Sequence, residues 1–373
     1  MDNHLHIVTH DVPWPADFGG VVDLFYKIKA LHNLGIKIHL HCYTGGRPEQ
    51  KILNKYCASV QYYQRKKGFA SFSLRIPYIV NSRKDDALLK NLEKDNYPIL
   101  LEGIHCTFFL QAGKLNHRKV FVRLHNVEYK YYEQLAKHET NIARKIYFKM
   151  ESRLLKKYEE QLSKKTTFWA VSNEDIQVYK NELHAEHIHF MPVFLPWDEI
   201  NSSAGKGAFC LYHGNLSINE NEKAAAWLLS EVFKKINIPL TIAGKDPSPR
   251  LKALAAAHPH ITLVENPSEV DMQELIKNAQ INILPSFNNT GVKLKLLNAL
   301  YNGRHCLVNK AAVEGSAIET QCTIASSANE FIAAIKILFD EPFTEEKMLH
   351  RNAALKDIYN TDKNARKLIA WIY

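Results

Sequence analysis

Short apolar segments alternate with helical stretches along the whole chain, and this alternation restricts the fold more than any other feature. The segments form two series, at 5–9, 36–43, 99–102, 120–124, 167–171 and 187–192, and then at 208–213, 240–243, 261–264, 281–284, 305–308 and 323–325. Strands that alternate with helices form parallel sheets with helical crossovers. The sequence therefore predicts an α/β fold of two doubly wound, Rossmann-like domains facing a central cleft, where a ligand is expected.

The length of 373 residues also favours two domains, because single cores rarely grow to this size. The polar segment from Pro196 to Gly207 is typical of a linker. We expect an N-terminal domain at 1–197, a C-terminal domain at 198–355, and a helix at 356–373 that packs back on the N-terminal domain.

Composition limits the ligand and the compartment. Lysine and arginine number 48 against 39 acidic residues, and the net charge of +9 suits a phosphorylated ligand or an acidic membrane surface. The charge is too diffuse to indicate nucleic acid. The six cysteines show no paired spacing, and neither a signal peptide nor a run of ~18 apolar residues occurs, which indicates a soluble or peripheral cytoplasmic protein.

Several enzyme classes lose support because their motifs are missing. The sequence contains no dinucleotide-binding glycine motif, phosphate-binding loop, zinc-protease motif or serine-esterase motif.

The segment from Asn288 to Gly303 places Lys293 and Lys295 at the predicted start of a helix. Cations are disfavoured there, because the helix dipole is positive at its N-terminus. A bound anion is the simpler explanation for the two lysines.

Residues that follow strands of a parallel sheet lie at its carboxyl edge and are candidate ligand contacts. In the second half these are His213-Gly214-Asn215, Gly244-Lys245, Asn266-Pro267 and the segment from Pro285 to Lys295. In the first half they are Phe18-Gly19-Gly20, Glu102-Gly103, His125-Asn126 and Ser172-Asn173. Each has a structural alternative: a surface lysine, a tight glycine turn, a core histidine, or a serine that caps a helix.

With these motifs in this order, the chain resembles the retaining GT-B glycosyltransferases of family 4 (glycosyl transferases group 1). The resemblance rests on the Gly19-Gly20 loop, His125-Asn126, the strand end at Ala170-Val171-Ser172, His213-Gly214-Asn215, Ala243-Gly244-Lys245, and the block from Gly291 to Gly303 with His305-Cys306-Leu307-Val308. It implies transfer of a hexose from a nucleotide-diphosphate sugar to a glycan or lipid-linked acceptor, with retention of configuration.

The resemblance also implies roles for individual residues. Lys245 and Lys295 would neutralise the donor diphosphate, with help from Lys293, and His125 would hydrogen-bond the transferred sugar. Further donor contacts are implied at Gly19, Gly20, Gly214, Asn215, Asn266, Thr290, Gly291, Val292 and Asn298. The family needs no cofactor, and no metal motif is evident in the sequence.

The sequence departs from the family at two positions. Family members commonly carry glutamates where this chain has Thr290 and Asn298, and the second glutamate binds the ribose. Asparagine offers one acceptor oxygen where a carboxylate offers two. An inactive GT-B scaffold, or another GT-B enzyme such as a sugar epimerase, therefore remains an alternative.

A basic amphipathic stretch from Arg144 to Lys165 predicts either a surface helix with a solvated basic face or a helix that lies on anionic lipid. In the second case the protein would be peripheral at the inner face of the membrane.

Overall fold

The computed structural model describes residues 3–17, 19–288 and 291–373, apart from the side chain of Ala70. The chain divides into two compact units: the residues up to Pro196 together with Tyr359–Tyr373, and Trp197–Ile358. Each unit contains one parallel sheet with helices between successive strands. The predicted α/β fold with two doubly wound domains is thus confirmed.

The sheet of the first unit has the strand order β3-β2-β1-β4-β5-β6-β7. Its strands are β1 (His4–Thr9), β2 (Lys37–Thr44), β3 (Ser59–Gln64), β4 (Ile99–Glu102), β5 (Val120–Leu124), β6 (Thr167–Ala170) and β7 (Ile188–Phe190). Strand β3 was not predicted, because this edge strand is rich in polar residues and only Tyr63 is buried.

The sheet of the second unit has the strand order β10-β9-β8-β11-β12-β13. Its strands are β8 (Cys210–Asn215), β9 (Leu240–Lys245), β10 (Ile261–Glu265), β11 (Ile281–Ile283), β12 (His305–Val308) and β13 (Thr323–Ile324). The central strands are apolar because both faces of a parallel sheet are covered by helices.

The helices connect the strands and cover both sheets. In chain order they are α1 (Gly19–Asn33), α2 (Tyr78–Asn81), α3 (Asp86–Leu92), α4 (Phe108–Gln111), α5 (Glu128–His138), α6 (Ile142–Ser163), α7 (Asn173–Glu182), α8 (Asn219–Trp227), α9 (Pro249–Ala256), α10 (Glu269–Asn278), α11 (Leu294–Asn302), α12 (Lys310–Val313), α13 (Ala328–Asp340), α14 (Glu345–Tyr359) and α15 (Thr361–Ile372). None of these helices, within the described ranges, is long and apolar enough to cross a membrane.

Side-chain caps fix where several helices begin. The Ser172 hydroxyl accepts a hydrogen bond from the Asp175 amide at 3.0 Å and starts α7. Ser268 and Asp271 form a reciprocal capping box at the start of α10. Such caps satisfy amides that have no partner within the helix. The cap at Ser172 is the structural alternative that the sequence allowed for this residue.

Helix α15 completes the core of the first unit although it follows the whole second unit in the chain. Its buried residues Ala365, Leu368 and Ile372 belong to the same apolar cluster as Leu24 and Ile28 of α1. One face of the first sheet is therefore covered by the last helix together with the first.

A chain of polar side chains crosses the other face of this sheet at the amino ends of β1 and β2. His6 contacts His41 at 2.9 Å and Asp95 at 2.9 Å, and His41 contacts the Tyr63 hydroxyl at 2.8 Å. Nearer the sheet end, His4 contacts His39 at 3.0 Å. The buried rings of His6 and His41 thus find partners within the protein, as buried polar groups must.

Candidate functional site

Three predicted contact residues lie side by side at the carboxyl edge of the second sheet. Asn215 at the end of β8 pairs in register with Lys245 at the end of β9. The amide of Asn266, just past β10, donates to the Gly244 carbonyl at 2.9 Å. Three neighbouring strands therefore deliver these residues to one edge.

The side chains of these three residues differ in whether they already form hydrogen bonds within the protein. The Asn215 carbonyl oxygen Oδ1 accepts from the Ser217 amide at 3.1 Å, and Asn266 Oδ1 accepts from the Asp246 amide at 2.9 Å. Lys245 is exposed, and its ammonium has no polar contact with another side chain among the described residues. At this edge Lys245 is the group that can turn to an anion.

Lys295 lies in the first turn of α11 and is held by neutral groups. Its Nζ donates to Asn221 Oδ1 at 3.0 Å and to the Tyr212 hydroxyl at 3.3 Å, and it lies 4.9 Å from the centre of the Tyr212 ring. Burial, reinforced by the charge of Lys293, lowers the pKa of Lys295 to about 8. The structure therefore keeps a cation in a position that makes its charge costly.

Two further titratable groups lie near Lys295. His213 is buried, and burial together with the Lys295 charge lowers its pKa to about 3, so the imidazole is neutral at physiological pH. Glu220, the carboxylate that acts on Lys295, accepts from Asn288 Nδ2 at 3.0 and 3.1 Å. The surroundings of Lys295 are thus mostly uncharged.

The glycines at this edge of the second sheet allow the strand ends to pack closely and the chain to turn. A Cβ on Gly244 would lie 1.9 Å from the Gly214 carbonyl oxygen, so the two strand ends could not pack with larger residues. Gly291 has a φ of +65° and turns the chain toward α11. Val292 and Lys293 follow it and are half-buried, whereas Thr290 lies outside the described residues.

Asn298, at the position where the family commonly has a glutamate, is engaged within its own helix. Its Oδ1 accepts from Asn302 Nδ2 at 2.8 Å, one helical turn further on. One lone pair of this oxygen is thereby used, and the side chain can still offer a ligand the other lone pair and its N–H groups.

In the first unit, the carboxyl edge of the sheet covers a buried group of charges. Lys27 Nζ lies 3.2 Å from an oxygen of Asp23 and 2.8 Å from an oxygen of Glu102, and Arg123 lies 3.2 Å from the other Asp23 oxygen. Burial by itself would raise the pKa of both carboxyls, but the neighbouring cations outweigh it and hold both below their usual values. Two carboxylates and two cations thus neutralise one another.

His125 lies directly on this group. Its Nε2 is 3.1 Å from a Glu102 oxygen, and its Nδ1 is 3.7 Å from an Asp23 oxygen. Both ring nitrogens therefore face carboxylates of the protein, and these contacts orient the ring.

Gly19 and Gly20 begin α1 close to this place. A Cβ on Gly20 would lie 3.8 Å from His10 Cε1, and the His10 ring lies 5.9 Å from the His125 ring. Gly19 is exposed with open space around it. The structure thus brings the glycine pair and His125 to one edge, with His10 between them.

Asp23, Glu102 and His125 are also the one group of potential metal ligands among the described residues. Their charge is already balanced by Lys27 and Arg123, so a divalent ion would add two uncompensated positive charges to a buried site. This donor set fits a structural charge cluster better than a metal centre.

Five residues of these sites were not predicted from the sequence: Asp23, Lys27, Arg123, Tyr212 and Asn221. A signal existed for the first three: Asp23 and Lys27 are spaced four residues apart on the apolar side of α1, and Arg123 interrupts an apolar strand. Charges at core positions indicate partners elsewhere in the fold. Tyr212 and Asn221 gave no comparable signal.

Residues 208–341 match the family model of the glycosyl transferases group 1. A Klebsiella pneumoniae protein, described as an uncharacterized 44.6 kDa protein in the cps region, is 26% identical over an alignment of 329 residues. The alignment covers 83% of this chain and 84% of that protein. The family model thus covers residues of the second unit only, whereas the Klebsiella protein matches most of the chain.

Solved structures resemble the chain over almost its whole length. A glycosyltransferase from Rickettsia africae has a TM-score of 0.69 at 14% identity and covers 100% of this chain and 98% of its own. A UDP-forming α,α-trehalose-phosphate synthase from Burkholderia xenovorans, in complex with glucose-6-phosphate, has a TM-score of 0.67 at 10% identity and covers both chains fully, at 100%. The fold is thus GT-B, and together with the family model these likenesses support a GT-B glycosyltransferase.

The buried charge cluster yields a stability prediction. Lys27→Met would leave two buried carboxylates short of one cation, so we expect the free energy of unfolding to fall by about 3–5 kcal/mol at neutral pH. The loss should shrink as the pH falls below about 4, where the carboxyls take up protons. Urea unfolding at several pH values, followed by circular dichroism, measures both effects.

Lys29→Met is the matched control, because Lys29 lies on the same helix and is exposed. Equal stability losses for the two variants would show that Lys27 does not hold the cluster together.

Proposed function

We propose that the protein is a retaining, family 4 glycosyltransferase that moves a hexose from a nucleotide-diphosphate sugar to a glycan or lipid-linked acceptor. One observation carries this proposal: Lys295 is a partly buried cation at the start of α11 that is held by Asn221 and Tyr212. Among the described residues, no carboxylate forms a salt bridge with it. A cation in this setting suits a diphosphate, whose charge grows when it leaves the sugar.

The second unit would bind the donor at the carboxyl edge of its sheet. Lys295 and the N-terminal amides of α11 offer fixed positive charge, and Lys245 offers a mobile one. Gly214, Asn215, Asn266, Gly291, Val292 and Lys293 would complete the donor site, as would Thr290. No cofactor is required, since stabilisation of the leaving group needs only charge and oriented amides.

The first unit would bind the acceptor, and Gly19 and Gly20 would approach the phosphates or the acceptor. We infer that the acceptor hydroxyl attacks from the side of the departing diphosphate, which accepts the hydroxyl proton. His125, oriented by Glu102 and Asp23, would line the reacting centre. Lys27 and Arg123 balance these carboxylates, which supports transfer without a divalent metal.

The lysines give the first test of this proposal. Lys295→Ala and Lys245→Ala should each reduce transfer about 100-fold, because each removes a charge directed at the leaving group. Because the pKa of Lys295 is about 8, kcat/KM for the donor should fall as the pH rises above that value, and Lys295→Arg should abolish this fall. The measurement uses the donor that a thermal-shift screen of nucleotide diphosphates identifies.

Lys223→Ala serves as the control, since Lys223 is an exposed lysine of α8 in the same unit. Activities of both lysine variants within a few-fold of wild type would refute the donor site.

Asn298 separates a working transferase from an inactive scaffold. Asn298→Glu would supply a second carboxylate oxygen while the first still accepts from Asn302, so we expect nucleotide diphosphate binding to be retained or tightened. Calorimetry with UDP, GDP and dTDP measures this binding. If neither wild type nor Asn298→Glu binds any of them, the scaffold proposal replaces the enzyme.

A surface of the first unit supports contact with an anionic membrane. Phe69, Phe72 and Leu74 are exposed, and so are Ile142, Ile146 and Met150 of α6. The Tyr78 amide donates to a Glu151 carboxylate oxygen and joins the two segments. The same two segments carry five exposed basic residues: Lys66, Lys67, Arg75, Arg144 and Lys149. Such a mixture suits a lipid surface, which we place on the cytoplasmic side.

We therefore expect Phe69→Asp combined with Ile142→Asp to weaken binding to phosphatidylglycerol-containing vesicles at least about 10-fold, because each removes apolar area that would enter the bilayer. Vesicle co-sedimentation measures the change. Leu349→Asp, at an exposed leucine of the second unit, is the control. Wild-type protein that fails to sediment with these vesicles would contradict membrane contact.

A further inference from the structure

Three histidine rings meet at the carboxyl edge of the first sheet, next to the glycine pair. His10 follows β1, His105 follows β4 and His125 follows β5, which are neighbouring strands. The rings of His10 and His105 stack with their centres 5.1 Å apart, and the edge of His125 faces His10 at 5.9 Å. Three successive strands thus place three imidazoles together.

Two of these rings keep a nitrogen without a protein partner. His10 Nδ1 and His105 Nδ1 are shielded from solvent, yet neither has a hydrogen-bond partner within residues 3–17, 19–288 and 291–373. Gly103 makes room for His105: its φ is +81°, and a Cβ there would lie 2.9 Å from His105 Nδ1. Buried polar atoms are rarely left unsatisfied in a finished site.

Two guanidinium groups lie near the His105 ring, because the charges of Arg83 and Arg65, after burial, lower the pKa of His105. Both guanidinium groups are bound to neutral partners. Arg83 is buried and donates to the His10 carbonyl at 3.0 and 3.1 Å and to the Ile79 carbonyl at 2.7 Å. Arg65 donates from Nε to the Ser82 hydroxyl at 3.2 Å and lies over the Tyr78 ring. Neither has a salt bridge to a carboxylate in the described part of the chain.

The nearby carboxylates do not balance the positive charges of Arg65 and Arg83. Glu102 and Asp23 are balanced by Lys27 and Arg123. Burial and the proximity of Glu159 raise the pKa of Glu128 to about 8, so this carboxyl is mostly protonated at neutral pH. Asp11 acts on Arg83, and no carboxylate of the described residues forms a salt bridge with Arg65.

We propose that His10, His105 and Arg65 form an anion site that binds a phosphate or diphosphate group of the acceptor. The phosphate oxygens would accept hydrogen bonds from the Arg65 guanidinium and from the two imidazole rings. The two unpaired Nδ1 atoms would thereby gain partners. The assignment of this anion to the acceptor rests on the proposed function. The site narrows the acceptor to a phosphorylated compound, either a soluble sugar phosphate or a lipid diphosphate.

The test uses the full-length chain carrying Lys295→Ala, so that the donor site of the second unit does not compete for the probe. Calorimetry with pyrophosphate should show binding that Arg65→Gln weakens about 10-fold, because a charge-assisted hydrogen bond is lost. Arg250→Gln, at an exposed arginine of the second unit, should have no effect.

Histidine ring resonances provide a second readout that does not depend on any variant folding. Pyrophosphate should shift the His10 and His105 signals and leave those of His4 and His39, at the opposite end of the strands, unchanged. Binding that is insensitive to Arg65→Gln, or shifts absent from His10 and His105, would overturn the proposal.

Two acceptor probes distinguish the source of the phosphate. If glucose 6-phosphate binds in an Arg65-dependent way, the acceptor is a soluble sugar phosphate, and if farnesyl diphosphate does so instead, it is a lipid diphosphate. Arg65-dependent pyrophosphate binding without nucleotide binding by the wild-type protein would sustain the anion site while refuting the proposed transfer.

Discussion

Asp23 is the contact on which the site of the first unit depends. One of its oxygens accepts from the Phe194 amide at 2.7 Å and from Arg123, while the other lies near Lys27. Arg123 in turn donates to the Met191 and Pro192 carbonyls. A single buried carboxylate thereby joins α1, β5 and the segment after β7. Its burial would be strongly destabilising without the cations on both sides of it. The orientation of His125 follows from this arrangement.

The charge cluster beneath His125 differs from the surroundings of Lys295 and Arg65, and the contrast supports the ligand sites proposed for these two cations. Beneath His125 every charge has an opposite partner, so the cluster is complete without a ligand. Lys295 in the second unit, and Arg65 in the first, are instead held by hydroxyl, amide and aromatic groups. Unbalanced charge in a partly buried place is costly, and it persists where a substrate supplies the missing anion.

Sequence patterns predicted the parts of the site that depend on local structure. The ends of parallel strands must lie at one edge, so Asn215, Lys245 and Asn266 could be placed together before the fold was known. The partnership of Asp23 with Arg123 joins residues far apart in the chain, and no local pattern contains it. The bond between Asn298 and Asn302 was accessible from their spacing on one helix. Each carboxylate that holds His125 was visible in the sequence, Glu102 at a strand end and Asp23 among the apolar residues of α1. That the two meet at His125 depends on packing.

The place of α15 has a consequence for synthesis. Leu24 and Ile28 of α1 need the apolar side chains of α15 to cover them, yet the ribosome makes the entire second unit first. The second unit can therefore fold while the first still exposes an apolar face. A nascent chain interrupted before Thr361 would carry this open face into solution, where it would invite chaperones or self-association.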